Sequence, residues 1–470
     1  MRSVHIVVVV TALLLAAGCA SPLGAATPAP TADAMARTVV DTAAPTATVI
    51  ARPTPTSPPR PMAGQGSAST LPSNAQANGA SSAPSISADG RFVAFCSEAS
   101  NLVPGDTNGA SDVFVRDRLT GHTERVSVSS DGAQGDYSSD SPAISADGRF
   151  VAFSSYASNF AADDRAGHRD IFVRDRLQGT TRQLSVSSSS AQGNEDSFSP
   201  DISADGRYVS FLSNASNLLP DDGPSPDVFV CDLQAGTLER AGTGTVLASK
   251  GSGCLANAIS ADGRWIAFAA LHAQGQGTAD GPFASDIYVH DRVAGATVQI
   301  TLDAGGQASA GPSGSPSISE DGRWVAYMSE ATNLVPDIPS GSTGISVFLY
   351  EKASSHTRWV SELGPSLGGN IIGVRLLDLA PDGRWLAFGF GDVDVYNRET
   401  GEIDRVSVAA DGGVARGGGS MEPSISADGR YVAFTSGAAN LVAGDTNGVN
   451  DIFVRDRLAD TTERVSVASR

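Results

Sequence analysis

One phrase, Ile-Ser-Ala-Asp-Gly-Arg followed by an aromatic residue, constrains this chain more than any other feature. It first occurs within Ser85-Ile-Ser-Ala-Asp-Gly-Arg-Phe-Val-Ala-Phe95. Its turn returns at Asp147, Asp205, Asp262, Asp321, Asp382 and Asp428, each continuing Gly-Arg and then an aromatic residue that opens an apolar run. Asp-Gly supplies the positive φ that a tight hairpin turn needs. Counted from Asp89, the turns are spaced 58, 58, 57, 59, 61 and 46 residues apart. A phrase repeated at so steady a period identifies a repeat architecture.

The first copy predicts the unit. Pro84–Ser87 and Phe92–Phe95 read as strands one and two around the Asp-Gly turn, Asp112–Val115 as strand three, and Thr123–Val128 as strand four. Strand two is apolar on successive residues, the pattern of a strand covered on both faces. Four antiparallel strands per unit, each unit covered by its neighbours, describe a propeller blade. The expected fold is all-β, a seven-bladed β-propeller of four-stranded antiparallel blades over residues 84–470. The short sixth step arises because Phe388–Tyr396 joins strands two and three with almost no loop.

Two segments precede the repeats. Residues 1–19 read as a signal segment, an apolar run ending Leu15-Ala-Ala-Gly-Cys19 that is similar to a bacterial lipobox, with Cys19 as the lipid attachment site. Residues 20–83 hold ten prolines and no aromatic residue, so they cannot bury a core and read as a disordered stalk. Random-coil scaling gives such a stalk a reach on the order of 45 Å. The expected location is exported and membrane-anchored through the lipid, on the periplasmic or cell-surface side. The net charge of -19 argues against nucleic acid, which demands a basic surface.

Two residue patterns recur within the blades. The arginine of each Asp-Gly-Arg turn opens strand two, and an acidic or amide residue closes strand three. Cross-strand pairs are therefore expected at Arg91 with Asp117, Arg149 with Asp175 and Arg430 with Asp456, and likewise at Arg384 with Asn397. The loop before strand three spaces two carboxylates six residues apart: Asp106, Asn108 and Asp112 in the first blade, and Asp445, Asn447 and Asp451 in the last. Asp-x-Asn-Gly begins like a calcium loop, so calcium is the one candidate cofactor, against the plainer reading of an Asx-turn. Looser versions pair Asp164, Asp221 and Asp280 with later aspartates. Gly364-Pro-Ser-Leu-Gly368 matches a hydrolase elbow pattern but lacks the strand-to-helix context that motif needs. Of Cys96, Cys231 and Cys254 at least one is left unpaired, and no disulfide is expected between Cys231 and Cys254.

The phrases Ile-Ser-Ala-Asp-Gly-Arg-Phe-Val-Ala-Phe, Asp-Ile-Phe-Val-Arg-Asp and Arg-Val-Ser-Val together resemble the TolB-type, WD-repeat-like propeller family of bacterial envelope proteins. The resemblance covers residues 84–470 and implies the fold. It transfers no catalytic residue, because the matching motif is structural. The expected function is a non-catalytic, monomeric binding or scaffold propeller that meets a protein or other envelope ligand on an acidic long-loop rim. The alternatives are a propeller enzyme acting on carbohydrate, as lyase or hydrolase, and a calcium-dependent surface adhesin. A cluster of charged residues on first strands from several blades would favour the enzyme.

Overall fold

The computed structural model describes residues 74–161, 167–220, 222, 226–241, 254–271, 285–339, 344–364 and 375–469. Cys19, the signal segment and the stalk up to residue 73 lie outside the described residues, as do Asp164, Asp221, Asp280 and Ser366. The described residues form twenty-eight strands and no helix. The strands fall into successive groups of four that pair antiparallel in chain order, as in Ser81–Ile86, Phe92–Ser97, Asp112–Asp117 and His122–Arg125. The sixth and seventh groups fuse into one eight-stranded sheet. With its loop missing, strand Trp385–Gly391 of the sixth unit runs on and pairs Phe390 and Gly391 with Met421 and Ser420 of the seventh.

Strand two is buried along its whole length in the first unit, as its unbroken apolar run requires. Aromatic rings from strands two and three stack across each sheet, Phe95 on Phe114 at 5.9 Å and Phe434 on Phe453 at 6.0 Å. The core lies between units as well as within them: Val93 and Phe95 of the first unit cluster with Ala433, Ile452 and Val454 of the seventh. The first and last units are thus neighbours.

The Asp-Gly-Arg turn holds adjacent units together. Gly148 has φ +72°, and a Cβ there would drive into the Phe92 ring of the preceding unit. The same relation joins Gly90 to Tyr431 across the two ends of the chain. Phe92 is held from both sides: Arg91 of its own unit and Arg176 of the next each lie 4.6 Å from its centroid, whereas Phe150 has Arg149 alone because Leu233 takes the second position. Arg176 also pairs with Glu124 of the first unit at 2.6 Å, and Arg118 with Glu463 of the seventh at 2.6 Å.

The ordered repeat region begins earlier than the expected boundary at residue 84. Gln76 bridges Val467, and the main chain of residues 74–77 exchanges hydrogen bonds with residues 466–469. Gln134 with Val128 and Gln192 with Val186 form the same bridge inside the chain. Residues 74–80 therefore supply to the last unit what the first, second, fourth and sixth units receive from their linkers. Among the described residues no strand is exchanged between the ends, yet closure has a main-chain seam in addition to side-chain packing.

Candidate functional site

The structure brings Arg91 to Asp117, Arg149 to Asp175 and Arg430 to Asp456, each with Nη2 to Oδ2 at 2.7 Å. Each contact is bidentate, because Nε also donates to Oδ1 at 2.9–3.0 Å. The two bonds from Arg430 hold the Asp456 carboxyl down at about 2. In the sixth unit Arg384 reaches Glu399 at 3.1 Å instead of Asn397, whose amide oxygen accepts the Glu399 N–H. An amide offers no full charge, so the guanidinium turns to the nearest carboxylate. These pairs serve the turn clasp.

The paired carboxylates of the long loops are internal. Asp112 and Asp451 side chains are fully buried, and an arginine of strand four bridges each pair. Arg125 lies 3.5 Å from both Asp106 and Asp112, and Arg464 lies 3.0 Å from Asp445 and 3.4 Å from Asp451. Asn108 and Asn447 donate to Asp112 and Asp451 at 3.3 and 2.8 Å, and Ser127 and Ser466 donate to the same carboxylates at 2.6 Å. The positive charge expected from calcium is supplied here by guanidinium. Among the described residues no three His, Cys, Asp or Glu side chains gather to hold a metal. The sequence signal was present but unused: Arg125, Arg240 and Arg464 occupy one strand-four position in units with this loop. Replacing Arg464 by alanine strands the buried Asp451 charge and should cost about 3 kcal/mol. Chemical denaturation of the single variant measures this.

The central channel carries acidic residues of its own. First strands line it, and the residue before the Ile or Leu of the repeat phrase faces inward in six units: Ser85, Asp201, Ala258, Ser317, Asp378 and Ser424. The serines perform a structural task. Ser85 Oγ accepts the Ile144 N–H at 3.1 Å and Ser317 Oγ accepts the Leu379 N–H at 3.0 Å, each from the next unit. Asp201 Oδ2 does the same for Ile259 at 3.0 Å, and Asp378 Oδ2 for Ile425 at 2.9 Å. One oxygen suffices for that task, so each aspartate brings more charge to the channel than the scaffold requires.

Arg375, directly before strand Leu377–Leu379, lies 3.4 Å from Asp201 and keeps 44% of its side chain exposed. It is the one cationic residue lining the channel among the described residues. Glu422 stands at the long-loop mouth, where its Oε2 accepts the Ala83 N–H at 2.9 Å. Asn257 ties the wall by donating to the Ser199 carbonyl at 2.8 Å.

The two ends of the channel differ. At the Asp-Gly-Arg end a belt of main-chain bonds draws the turns together: Ala88 N–H to Ala146 O, Ala146 to Ala204, Ala204 to Ala261, Glu320 to Pro381, and Ala427 back to Ala88, at 2.8–3.1 Å. At the long-loop end, Ala83, Ser141, Ser199, Ser315 and Glu422 each take a φ near +50° directly before a proline. A bulge in strand one accompanies this conformation. Proline has no N–H to leave unpaired, which suits an innermost edge strand. The mouth holds a cavity of ≈ 260 Å³ and the deeper part ≈ 150 Å³.

Burial pushes the Asp378 carboxyl up to about 6, with the Asp201 charge adding to the rise and the Ile425 N–H and Arg375 opposing it. The folded state then holds this proton more tightly than the unfolded chain, whose value is about 3.9. The stabilisation is fully present below that value and is lost as pH rises through about 6. The stability of Asp378→Asn relative to wild type should therefore rise by roughly 1–2 kcal/mol from pH 5 to pH 7. Burial raises Asp227 to about 6 as well, but that group is common to both proteins and cancels in the difference.

No family profile and no curated protein matches this sequence. Solved structures do match. The β-propeller domain of the trilobed protease from Pyrococcus furiosus superposes with a TM-score of 0.50 at 12% identity, over 82% of this chain and 95% of that one. The fold is a β-propeller. An oligogalacturonate lyase in complex with manganese matches at TM-score 0.50 and 13% identity, over 81% of this chain and 90% of that one. TolB from Acinetobacter baumannii is also similar, at TM-score 0.37 and 15% identity over 69% of this chain and 62% of that one. At that score the TolB-type reading stands on the repeat phrase itself. Acylaminoacyl and prolyl peptidases match at 0.50 and 0.51, and the propeller spans about half their length. Enzymes thus stand above TolB in likeness, which overturns the expectation of a protein that catalyses nothing. At these identities the likeness extends to the fold alone.

Asp201, Arg375, Asp378 and Glu422 were missed as site residues in the sequence. For Asp201 and Asp378 the available signal was departure from the repeat at one inward position, and for Glu422 departure at the residue before the strand-one proline.

Proposed function

We propose that this chain is an exported, membrane-tethered, seven-bladed propeller that binds a small cationic ligand in its central channel. The observation that carries the reading is the pair Asp201 and Asp378 on the channel wall. With Glu422 at the mouth and Glu320 at the belt end, four acidic residues line the channel against one guanidinium. A water-poor funnel lined by one dominant sign of charge concentrates counter-ions of the other. The belt of bonded turns directs entry to the long-loop mouth. The lipobox at Cys19 and the proline-rich stalk support presentation from a membrane.

A primary amine such as pentylamine should bind near pH 7.5 in a calorimetric titration. Asp378→Asn and Asp201→Asn should each weaken it at least fivefold. Equal binding by both variants and wild type would sink the reading.

A second reading, chemistry on a carbohydrate, is favoured by one observation. Asp378 is raised by burial while Asp201 sits beside Arg375, and two carboxylates in unlike environments suit acid and base roles. Cleavage of an oligosaccharide that disappears in Asp378→Asn would establish it. Cleavage that persists in that variant would exclude this site.

A further inference from the structure

The channel departs from its own repeat in three units. The third, sixth and seventh units contribute Asp201, Arg375 with Asp378, and Glu422, whereas the first, second, fourth and fifth place small residues at the matching positions, as at Ser85, Ser141, Ala258 and Ser317. Arg375 and Asp201 approach to 3.4 Å although the fourth and fifth units stand between theirs in the chain. The charges are also layered. Asp201 and Asp378 line the deeper part with the belt residues, while Arg375 lines both the deeper part and the mouth.

Arg375 is poorly explained as a neutralising partner alone. Its recorded ion pair is a single 3.4 Å approach to Asp201 Oδ1, in contrast to the bidentate 2.7 Å pairs that the turn arginines make. A guanidinium carries five donors in a planar fork suited to a carboxylate. With 44% of the side chain open to the channel, much of that fork is available to a ligand.

We propose that the ligand is a small zwitterion, with an ammonium group seated on Asp378 and Asp201 and a carboxylate on the open face of Arg375 toward the mouth. This deepens the cationic-ligand reading and rests on it. The cavity volumes admit a molecule of metabolite size, since they fall below the ≈ 300–1,000 Å³ typical of drug-sized pockets. A ligand bearing both charges also avoids leaving Arg375 or the acids uncompensated when water is displaced.

The test compares 5-aminopentanoate with pentylamine, which has the same chain and ammonium but no carboxylate. Calorimetric titration of the full-length protein near pH 7.5 should give at least tenfold tighter binding of 5-aminopentanoate. Arg375→Gln should bring that ratio close to one. Arg375→Lys keeps the charge without the fork and should retain an intermediate ratio. Equal binding of the two compounds by wild type, or a ratio unchanged in Arg375→Gln, overturns the zwitterion. Failure of wild type to bind either compound overturns the cationic-ligand reading as well. Melting curves of each variant confirm that it is folded before titration.

Discussion

Gly148→Ala should destabilise the propeller by about 2–4 kcal/mol, far more than its position in a two-residue turn suggests. Two costs combine. The residue holds φ +72°, and a side chain in the left-handed region costs about 1 kcal/mol or more. The new methyl group also meets the Phe92 ring, which cannot retreat because Arg91 and Arg176 hold it from both sides. Overpacking of that kind adds about 1–3 kcal/mol. Gly132→Ala separates the two terms. Gly132 is also left-handed, at φ +88°, but nothing lies within 4 Å of its missing Cβ. It should cost about 1 kcal/mol. Equal losses in the two variants, measured by denaturant titration, would show that the turn clasp contributes nothing.

Removing residues 1–80 should lower stability by on the order of 4 kcal/mol relative to removing residues 1–73. Residues 74–77 give the last blade three main-chain hydrogen bonds, Asn74 N–H to Ser469 O, Ala77 N–H to Ser466 O and Ala468 N–H to Ala75 O. Their loss, at about 1 kcal/mol each, is joined by exposure of the core beneath the buried Ala77. Arg116 adds a third element, since it donates to both the Ala468 carbonyl and Asn74 Oδ1. The seam is local to the meeting of the first and last blades, so its loss should also accelerate proteolysis at the chain ends. Identical melting temperatures for the two truncations would mean that side-chain packing alone closes the ring.

The scaffold was legible because its determinants are local. Asp-Gly sets a turn by the conformation of two residues, and apolar runs set strands by their own neighbours. The Arg91–Asp117 pair follows from hairpin register, so it can be read from a single copy. Where the local chemistry changed, as at Asn397, the reading failed and Arg384 found Glu399. The glycine of the turn is a subtler case. Its positive φ was evident, but its contact with the aromatic of the preceding blade was not, because that contact crosses about 56 residues of chain. The calcium reading left out one partner of the loop carboxylates for a related reason. Asp106 and Asp112 announce themselves within seven residues, whereas Arg125 joins them only after strand three has turned back.

The amino-acid sequence by itself determined the repeat, the strand order within each blade and the arginine–carboxylate pairs of the turns, since all of these depend on residues close along the chain. The tertiary structure alone decided that residues 74–80 complete the last blade, that the loop carboxylates are neutralised from within, and that Asp201, Arg375, Asp378 and Glu422 share one channel. The physical reason is ring closure. It brings inward positions from distant repeats to a common axis, where burial raises the Asp378 carboxyl and concentrates charge that no single repeat displays.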